Sequence, residues 1–319
     1  MIGDNMDKKI YDIAIIGGGP AGISTAIYAS RAGLDVALIN NEPILGGTLL
    51  DTGSIENYPG WNSITGESLA SNMESHLSDY DVTRVMGTAK HIHTSEPTDT
   101  IRVTLEEDGS TIESKTVVIA TGIRYKNLDI TGESQYTGKG VSNCATCDGF
   151  FFTGQDVAVI GGGDSAIESA IELSDIANSV TVVHRRDKFR AEQVLVDRLS
   201  KKANIKYIYD ALLSEFKGDE QLNSLTFMDK EDGLIKEIDV KGAFVNVGIV
   251  PNTELLKSRQ ESMLDDEGFV EHNKLQTDIK GVYVVGDVRN DSNRQVVNAV
   301  ADGSSVVKLI KEYLERERG

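Results

Sequence analysis

The sequence predicts an α/β protein built from two similar strand–helix–strand domains, one inserted within the other. Three observations carry this reading. The run Ile15-Ile16-Gly17-Gly18-Gly19 recurs as Val159-Ile160-Gly161-Gly162-Gly163, an offset of 144 residues. Each copy passes from an apolar stretch through glycines into a helical pattern, then into a second apolar stretch. A strand closing on glycine, Thr116 to Gly122, has a counterpart at Ala243 to Gly248.

In the first copy a strand is expected from Ile10 to Ile16, and a helix from about Pro20, since proline suits a first helical turn. Ile23, Ala26 and Ile27 share one face of that helix, Gly33 ends it, and Val36 to Ile39 forms the next strand. In the second copy Val157 to Ile160 leads into a helix with Ile167, Ala170, Ile171 and Ser174 at helical spacing. Val180 to Val183 follows as a strand. Such units imply a parallel sheet with helices on both sides. Short alternating strands, including Thr100 to Leu105, lie between the copies. Gly281 to Asp287 is a last strand and turn, and a C-terminal helix starts at about Val296. No low-complexity linker separates these pieces. Residues 1–120 and 248–319 are therefore expected to form the outer domain and 121–247 the inner one. The chain would cross between them at about residues 118–124 and 244–250.

Composition narrows the function classes. A chain of 319 residues, 39% hydrophobic and 26% charged, is long enough for two buried cores. Its longest apolar stretches, such as Val117 to Ala120, are strand-length, far from the roughly 20 residues that span a bilayer. The N-terminal residues before the first glycine turn hold no apolar core of signal-peptide length, so export is not expected. Two cysteines are too few for a stapled extracellular scaffold, and a reducing cytoplasm is the expected compartment. A net charge of −18 argues against nucleic-acid or anionic-membrane partners.

The glycine turns point to dinucleotides. Such a turn needs glycine for tightness, for close approach of backbone to pyrophosphate and for helix–strand packing, and the helix N-terminus then faces the phosphates. Gly17-x-Gly19-x-x-Gly22 supplies three glycines, and Gly161-x-Gly163-x-x-Ala166 supplies two and an alanine. Both domains are thus read as Rossmann-like. The residue ending the second strand sorts the cofactors. It is Asn40 in one unit and His184 in the other, each 23 residues after the first glycine. His184 opens His184-Arg185-Arg186-Asp187-Lys188-Phe189-Arg190, where arginine forks match a 2′-phosphate, so NADPH is expected in the inner domain. Asn40-Asn41-Glu42 carries no arginine and suits a free ribose, such as that of FAD, in the outer domain.

The two cysteines stand as Cys144-Ala-Thr-Cys147. This spacing lets both sulfurs meet in a small ring and one thiolate be stabilised by its surroundings. A zinc site would need about four ligands, and the histidines show no matching pairs; His91-x-His93 reads as one face of a strand. Asp148 could exchange the proton that thiol chemistry requires, or serve as the Asp of an Asp-Gly turn. Phe150, Phe151 and Phe152 are read as core and interface packing.

Taken together, these residues resemble the low-molecular-weight thioredoxin reductases over nearly the whole chain. The resemblance rests on Gly17 to Gly22, Glu56 to Gly60, Ala120-Thr121-Gly122, Cys144 to Gly149, Gly161 to Ala166 and His184 to Ala191. It continues through Gly248 to Thr253, Gly286-Asp287 and Arg294-Gln295. It implies an NADPH-dependent flavoprotein that reduces thioredoxin or a similar small redoxin and forms a homodimer. Gly17, Gly19, Pro20, Gly22, Asn40, Gly47, Thr48, Asn57, Asp287, Arg294 and Gln295 would then contact FAD. Gly163, Ser165, His184, Arg185, Arg186 and Arg190 would contact NADPH. Cys147 would lie next to the flavin, Cys144 would attack the partner disulfide, and Asp148 would act as acid–base. Rotation of the NADPH domain about the two crossings would alternate nicotinamide and disulfide at the flavin.

Three features depart from that family's pattern: Thr48 replaces a usual glutamine, the loop from Asn40 to Leu45 is about one residue longer, and Asn298-Ala-Val-Ala301 replaces Thr-Ala-x-Gly. All three are expected around the flavin ring. Competing readings are a related disulfide reductase serving another redoxin or a peroxiredoxin system, a reductase with a different electron donor, and a non-catalytic flavin sensor.

Overall fold

A computed structural model describes residues 9–52, 54–55, 57–94, 100–256 and 261–318. Residues 1–8, on which the export reading rests, and Glu56 of the Glu56–Gly60 segment lie outside these.

The first repeat forms as its pattern predicts. Strands Ile10–Ile16 and Val36–Asn40 run parallel with Ile13 opposite Val36, joined by helix Pro20–Arg31. Ile23, Ala26 and Ile27 are buried under the sheet. The second repeat places strands Asp156–Gly161 and Ser179–Val183 side by side, with helix Asp164–Ser174 between them.

Each repeat nucleates a sheet of the same order. The first sheet runs Val82–Met86, Val36–Asn40, Ile10–Ile16, Thr111–Ile119, then Ile101–Leu105 and Ala89–Thr94; Val282–Val284 also pairs with Thr111–Ile119. The second runs Ile205–Ile208, Ser179–Val183, Asp156–Gly161, Gly242–Asn246, Val141–Ser142, all parallel. Counted from the strand that enters each glycine turn, the third, second, first and fourth parallel strands lie in that order in both sheets, so each glycine turn emerges next to the point where strand order reverses. That is where open α/β sheets bind ligands. A further antiparallel sheet, Ala211–Gly218, Leu222–Asp229 and Ile235–Asp239, backs the second half.

Burial follows these layers. Helix Val296–Arg318 lays Val306, Val307, Ile310 and Leu314 over Ile13 and Ile15. In the second half Ile167, Ala170 and Leu173 pack on Val157, Val159 and Phe244. Each buried Val, Leu, Ile or Phe side chain among them contributes about 1.5–3 kcal/mol through removal from water.

The chain passes between the two main sheets twice, and the passing segments pair. Ile123–Tyr125 and Ile249–Pro251 form an antiparallel two-stranded ribbon with Val250 opposite Arg124. Asn252 fastens it. Its Nδ2 donates to the Thr121 carbonyl at 2.8 Å, its own carbonyl accepts from the Thr121 hydroxyl at 2.6 Å, and its Oδ1 accepts from Arg124 at 2.6 Å. Asn252→Ala removes the two side-chain bonds, each with a net value of about 1 kcal/mol. Limited proteolysis of the native protein is expected to cut near the ribbon several-fold faster in this variant; an unchanged rate would show that the ribbon is held by other contacts.

Candidate redox site

The two glycine turns are shaped by steric contact. Gly17 has φ +111°, and a Cβ there would stand 2.3 Å from the Ala120 carbonyl oxygen. A Cβ on Gly22 would stand 1.9 Å from the Gly17 carbonyl, so helix and strand meet at a distance only glycine permits. The middle positions are different. A Cβ on Gly19 would have its nearest neighbour at 4.0 Å, and one on Gly163 would meet nothing within 4 Å. Gly19 and Gly163 are the N-caps of helices Pro20–Arg31 and Asp164–Ser174, and neither start carries a side-chain cap. Free N–H groups at two helix starts, with open space before them, fit the pyrophosphates of two dinucleotides.

Asn40 serves the first turn directly. Its Oδ1 accepts from Gly18 N–H at 3.0 Å and its Nδ2 donates to the Glu42 carbonyl at 2.7 Å. The Gly46 N–H donates to the Gly18 carbonyl at 2.8 Å, which lays the Gly46–Gly47 loop on the glycine turn. Thr48 follows in the 3₁₀ turn Gly47–Asp51, where its carbonyl accepts from the Thr52 hydroxyl. Asn57 and Gln295, 238 residues apart, meet side chain to side chain at 2.9 Å. Of the other departures, Asn298 is half-buried and Ala301 exposed, both on helix Val296–Arg318.

Asp287 sits in the short turn Gly286–Val288, where Ser292 donates to it at 3.1 Å. Burial pushes its carboxyl above the ordinary value, opposed by Ser292 and by Arg294. Arg294 holds φ +53° and lays its guanidinium 5.1 Å from the Phe269 ring centre. Behind this turn, Asp302 accepts from Gly286 N–H at 3.0 Å and from buried Arg289 at 2.7 Å.

Cys144 and Cys147 are joined as a disulfide, with Cα atoms 5.3 Å apart. They frame the helical turn Ala145–Asp148, in which the Cys147 N–H points at Cys144 Sγ from 3.1 Å. The turn lies against strand Ser54–Ile55 and helix Asp164–Ser174, to which Thr146 is tied through Glu172 at 3.0 Å. Asp148 accepts from the Ser142 hydroxyl at 2.6 Å, and burial raises its carboxyl above the ordinary value. Tyr125 of the connecting ribbon links the two sides: its phenol, raised by burial, is within electrostatic reach of Asp287, Arg294 and Asp148. The charges of the Asp148 and Asp287 turns thus both reach this side chain.

Arg185, Arg186 and Arg190 stand exposed beyond strand Ser179–Val183. His184 between them and the sheet is buried against Gly162, where a Cβ would come within 2.3 Å of its ring, and its Nε2 lies 3.1 Å from the Lys188 carbonyl. Burial, joined by the three arginines, pushes its pKa down. The Arg190 N–H donates to the Gly162 carbonyl at 2.7 Å, tying the basic loop to the second glycine turn, and Ser165 is exposed on the helix beside it. Lys230, from the antiparallel sheet, adds a cation by donating to the Arg185 carbonyl at 2.5 Å.

The aromatic run Phe150–Phe152 departs from the core and interface packing expected of it. Phe150 is 64% exposed and Phe151 44%, so only Phe152, edge-on to Phe244 at 5.5 Å, packs as expected. The 3₁₀ turn Gly149–Phe152 has too few residues to bury three successive rings, and two face outward beside the disulfide. Four contributors are not marked by the sequence reading: Tyr125, Ser142, Arg289 and Lys230. Ser142, two residues before Cys144, has a positional signal; the others come from distant segments. Among the described residues no cluster of three metal-ligating side chains occurs, and no helix is long and apolar enough to cross a membrane.

Residues 11–303 match the family described as pyridine nucleotide-disulphide oxidoreductase. The chain belongs to this family. A thioredoxin reductase of Listeria innocua is 37% identical over 97% of this chain and 95% of its own length. The crystal structure of thioredoxin reductase from Streptococcus pyogenes superposes with a TM-score of 0.91 at 39% identity, covering 96% of this chain and 99% of that one. An alkyl hydroperoxide reductase component of Staphylococcus aureus is 36% identical; the match covers 97% of this chain but 60% of that protein.

As a member of the pyridine nucleotide-disulphide oxidoreductases, the protein is a flavoprotein disulfide oxidoreductase with FAD and NADPH as cofactors. Its two open helix starts fit both groups, and its disulfide is the group to be reduced. Burial of Asp287 has a measurable consequence. Because the fold favours its neutral carboxyl, the associated stability is whole below the ordinary value of 3.8 and is lost as pH rises through the elevated folded value. Asp287→Asn, which cannot ionise, is therefore expected to gain melting temperature over the parent at about pH 7 and much less at about pH 4. A gap that stays constant between the two would contradict the burial account.

Proposed function

We propose that the protein is a thioredoxin-disulfide reductase in which the outer domain, residues 1–120 and 248–319, holds FAD and the inner domain, residues 121–247, holds NADPH. The observation that carries this is the Cys144–Cys147 disulfide, followed directly by Asp148, whose charge reaches Tyr125, and within the half that bears the arginine cluster. Bound NADPH and FAD supply hydride and two-electron transfer to that disulfide.

The chain's own residues bind, orient and move protons. Arg185, Arg186 and Arg190 receive the 2′-phosphate, with Gly163, Ser165 and the helix start behind them on the pyrophosphate and His184 shaping the loop. Gly17, Gly19, Pro20 and Gly22 receive the FAD pyrophosphate. Asn40 and Gly47 support that turn, and Thr48, Asn57, Asp287, Arg294 and Gln295 line the far end. Cys144 thiolate attacks the partner disulfide, giving a mixed disulfide. Cys147 thiolate then displaces the partner thiol and re-forms the internal disulfide, while Asp148 exchanges the proton. Exposed Phe150 and Phe151 give the partner an apolar seat next to the attacking sulfur. Flavin cannot face nicotinamide and disulfide at once, so the inner domain turns on the ribbon Ile123–Tyr125/Ile249–Pro251. A cytoplasmic homodimer completes the reading.

The resemblance to the alkyl hydroperoxide reductase component supports a second reading, in which the same disulfide serves a peroxiredoxin system. A coupled assay with thioredoxin and a chromogenic disulfide separates them. Thioredoxin-dependent turnover with NADPH supports the proposal; reduction of the flavin without such turnover favours the second reading. Arg186→Met is expected to raise the KM for NADPH about tenfold or more and leave that for NADH nearly unchanged. Phe150→Ala is expected to raise the KM for thioredoxin about tenfold while flavin reduction by NADPH keeps its rate. A variant that slows flavin reduction equally would place Phe150 in the electron path instead of the docking surface.

A further inference from the structure

Ser142 ends strand Val141–Ser142 and is 8% exposed. Its Oγ lies 2.6 Å from Asp148 Oδ2, 3.0 Å from the Cys144 amide nitrogen and 3.4 Å from the Cys144 carbonyl oxygen. A hydroxyl has one proton to give and lone pairs with which to accept. The Cys144 N–H can only donate, so Ser142 accepts there. Its single proton goes to the closer acceptor, Asp148 Oδ2, in a bond that becomes charge-assisted when the carboxyl ionises. One small side chain therefore holds the backbone of the first sulfur and the carboxyl that follows the second.

The other oxygen, Asp148 Oδ1, is buried and has no hydrogen-bond partner among the described residues. Oδ2 already receives the Ser142 hydrogen, and a second hydrogen there would compete with it. We propose that Ser142 is a positioning residue for the disulfide chemistry: it turns Asp148 so that the exchangeable proton resides on Oδ1, and it ties that carboxyl to the backbone of Cys144. The inference rests on the reading of Asp148 as acid–base.

The step balances without a further reactant. Two electrons from the NADPH-dependent activity break the Sγ–Sγ bond and leave both sulfurs as thiolates. One takes the proton from Asp148 Oδ1, and Asp148 becomes a carboxylate stabilised by the Ser142 hydrogen at Oδ2. Closure of the pair onto a partner disulfide returns the proton. Burial holds Asp148 towards its neutral form and the Ser142 hydrogen bond opposes this. The ionisable group facing it from the ribbon is Tyr125, and Glu172 of helix Asp164–Ser174 binds Thr146 in the same turn. Loss of the Ser142 hydroxyl leaves burial unopposed, so Asp148 should keep its proton to higher pH.

The test uses the holoenzyme with its cysteine pair reduced by dithiothreitol. Two pH profiles are measured: the infrared band of the protonated Asp148 carboxyl and the rate of Cys144 alkylation by iodoacetamide. Ser142→Ala is expected to move the carboxyl midpoint to higher pH and shift the alkylation profile with it. Ser142→Thr, which keeps the hydroxyl, should restore both, and Asp148→Asn should abolish the band. A Ser142→Ala protein with the parent's midpoint, alongside an Asp148→Asn protein that has lost the band, would overturn the inference alone. An Asp148→Asn protein whose alkylation profile matches the parent's would remove the acid–base reading, and this inference with it.

Discussion

The ribbon formed by Ile123–Tyr125 and Ile249–Pro251 is the constraint on which the site depends. Both passages of the chain between the two main sheets run through it, and the Asn252 side chain holds it by bonds to Thr121 and Arg124. Its Tyr125 feels the charges of Asp287 in one half and of Asp148 in the other. The two halves are thus joined by short segments that pair with each other instead of by a long linker.

Electrostatics divides the molecule by task. Against a net charge of −18, three exposed arginines gathered at the end of one strand mark a local site for a strongly anionic group. At the centre the balance is reversed: Asp148 and Asp287 are both buried enough for desolvation to favour their neutral forms. Two such carboxyls within electrostatic reach of Tyr125 make a place where protons can be held, with Asp148 directly following Cys147. The buried Arg289–Asp302 pair is a structural counterpart, fixing the Gly286–Asp287 turn from behind.

Much of this architecture is legible in the residues, because its constraints are local. Gly17 and Gly22 cannot carry a Cβ, so a strand-to-helix turn of this tightness writes itself as glycine. The buried faces of helix Pro20–Arg31 and the parallel strands follow from apolar spacing. The Cys144–Cys147 pair and the basic loop at Arg185 to Arg190 are likewise contiguous. What the residues do not reveal depends on contacts between distant segments. Tyr125 acquires its role only when the ribbon brings it to both carboxyls, Lys230 reaches Arg185 from another sheet, and Asn57 meets Gln295 across 238 residues. Phe150 and Phe151 escape the sequence pattern because an aromatic run has the same composition whether it packs inward or, as here, caps a short turn beside the disulfide.

Electrons from NADPH are expected to arrive at Cys144 and Cys147. Stoichiometric NADPH added to the oxidised holoenzyme without oxygen, followed by quenching with an alkylating agent and mapping of the label by mass spectrometry, shows whether they do. Label is expected on both Cys144 and Cys147 after NADPH, and little after the same amount of NADH. Flavin that is reduced while both cysteines stay unlabelled would contradict this expectation.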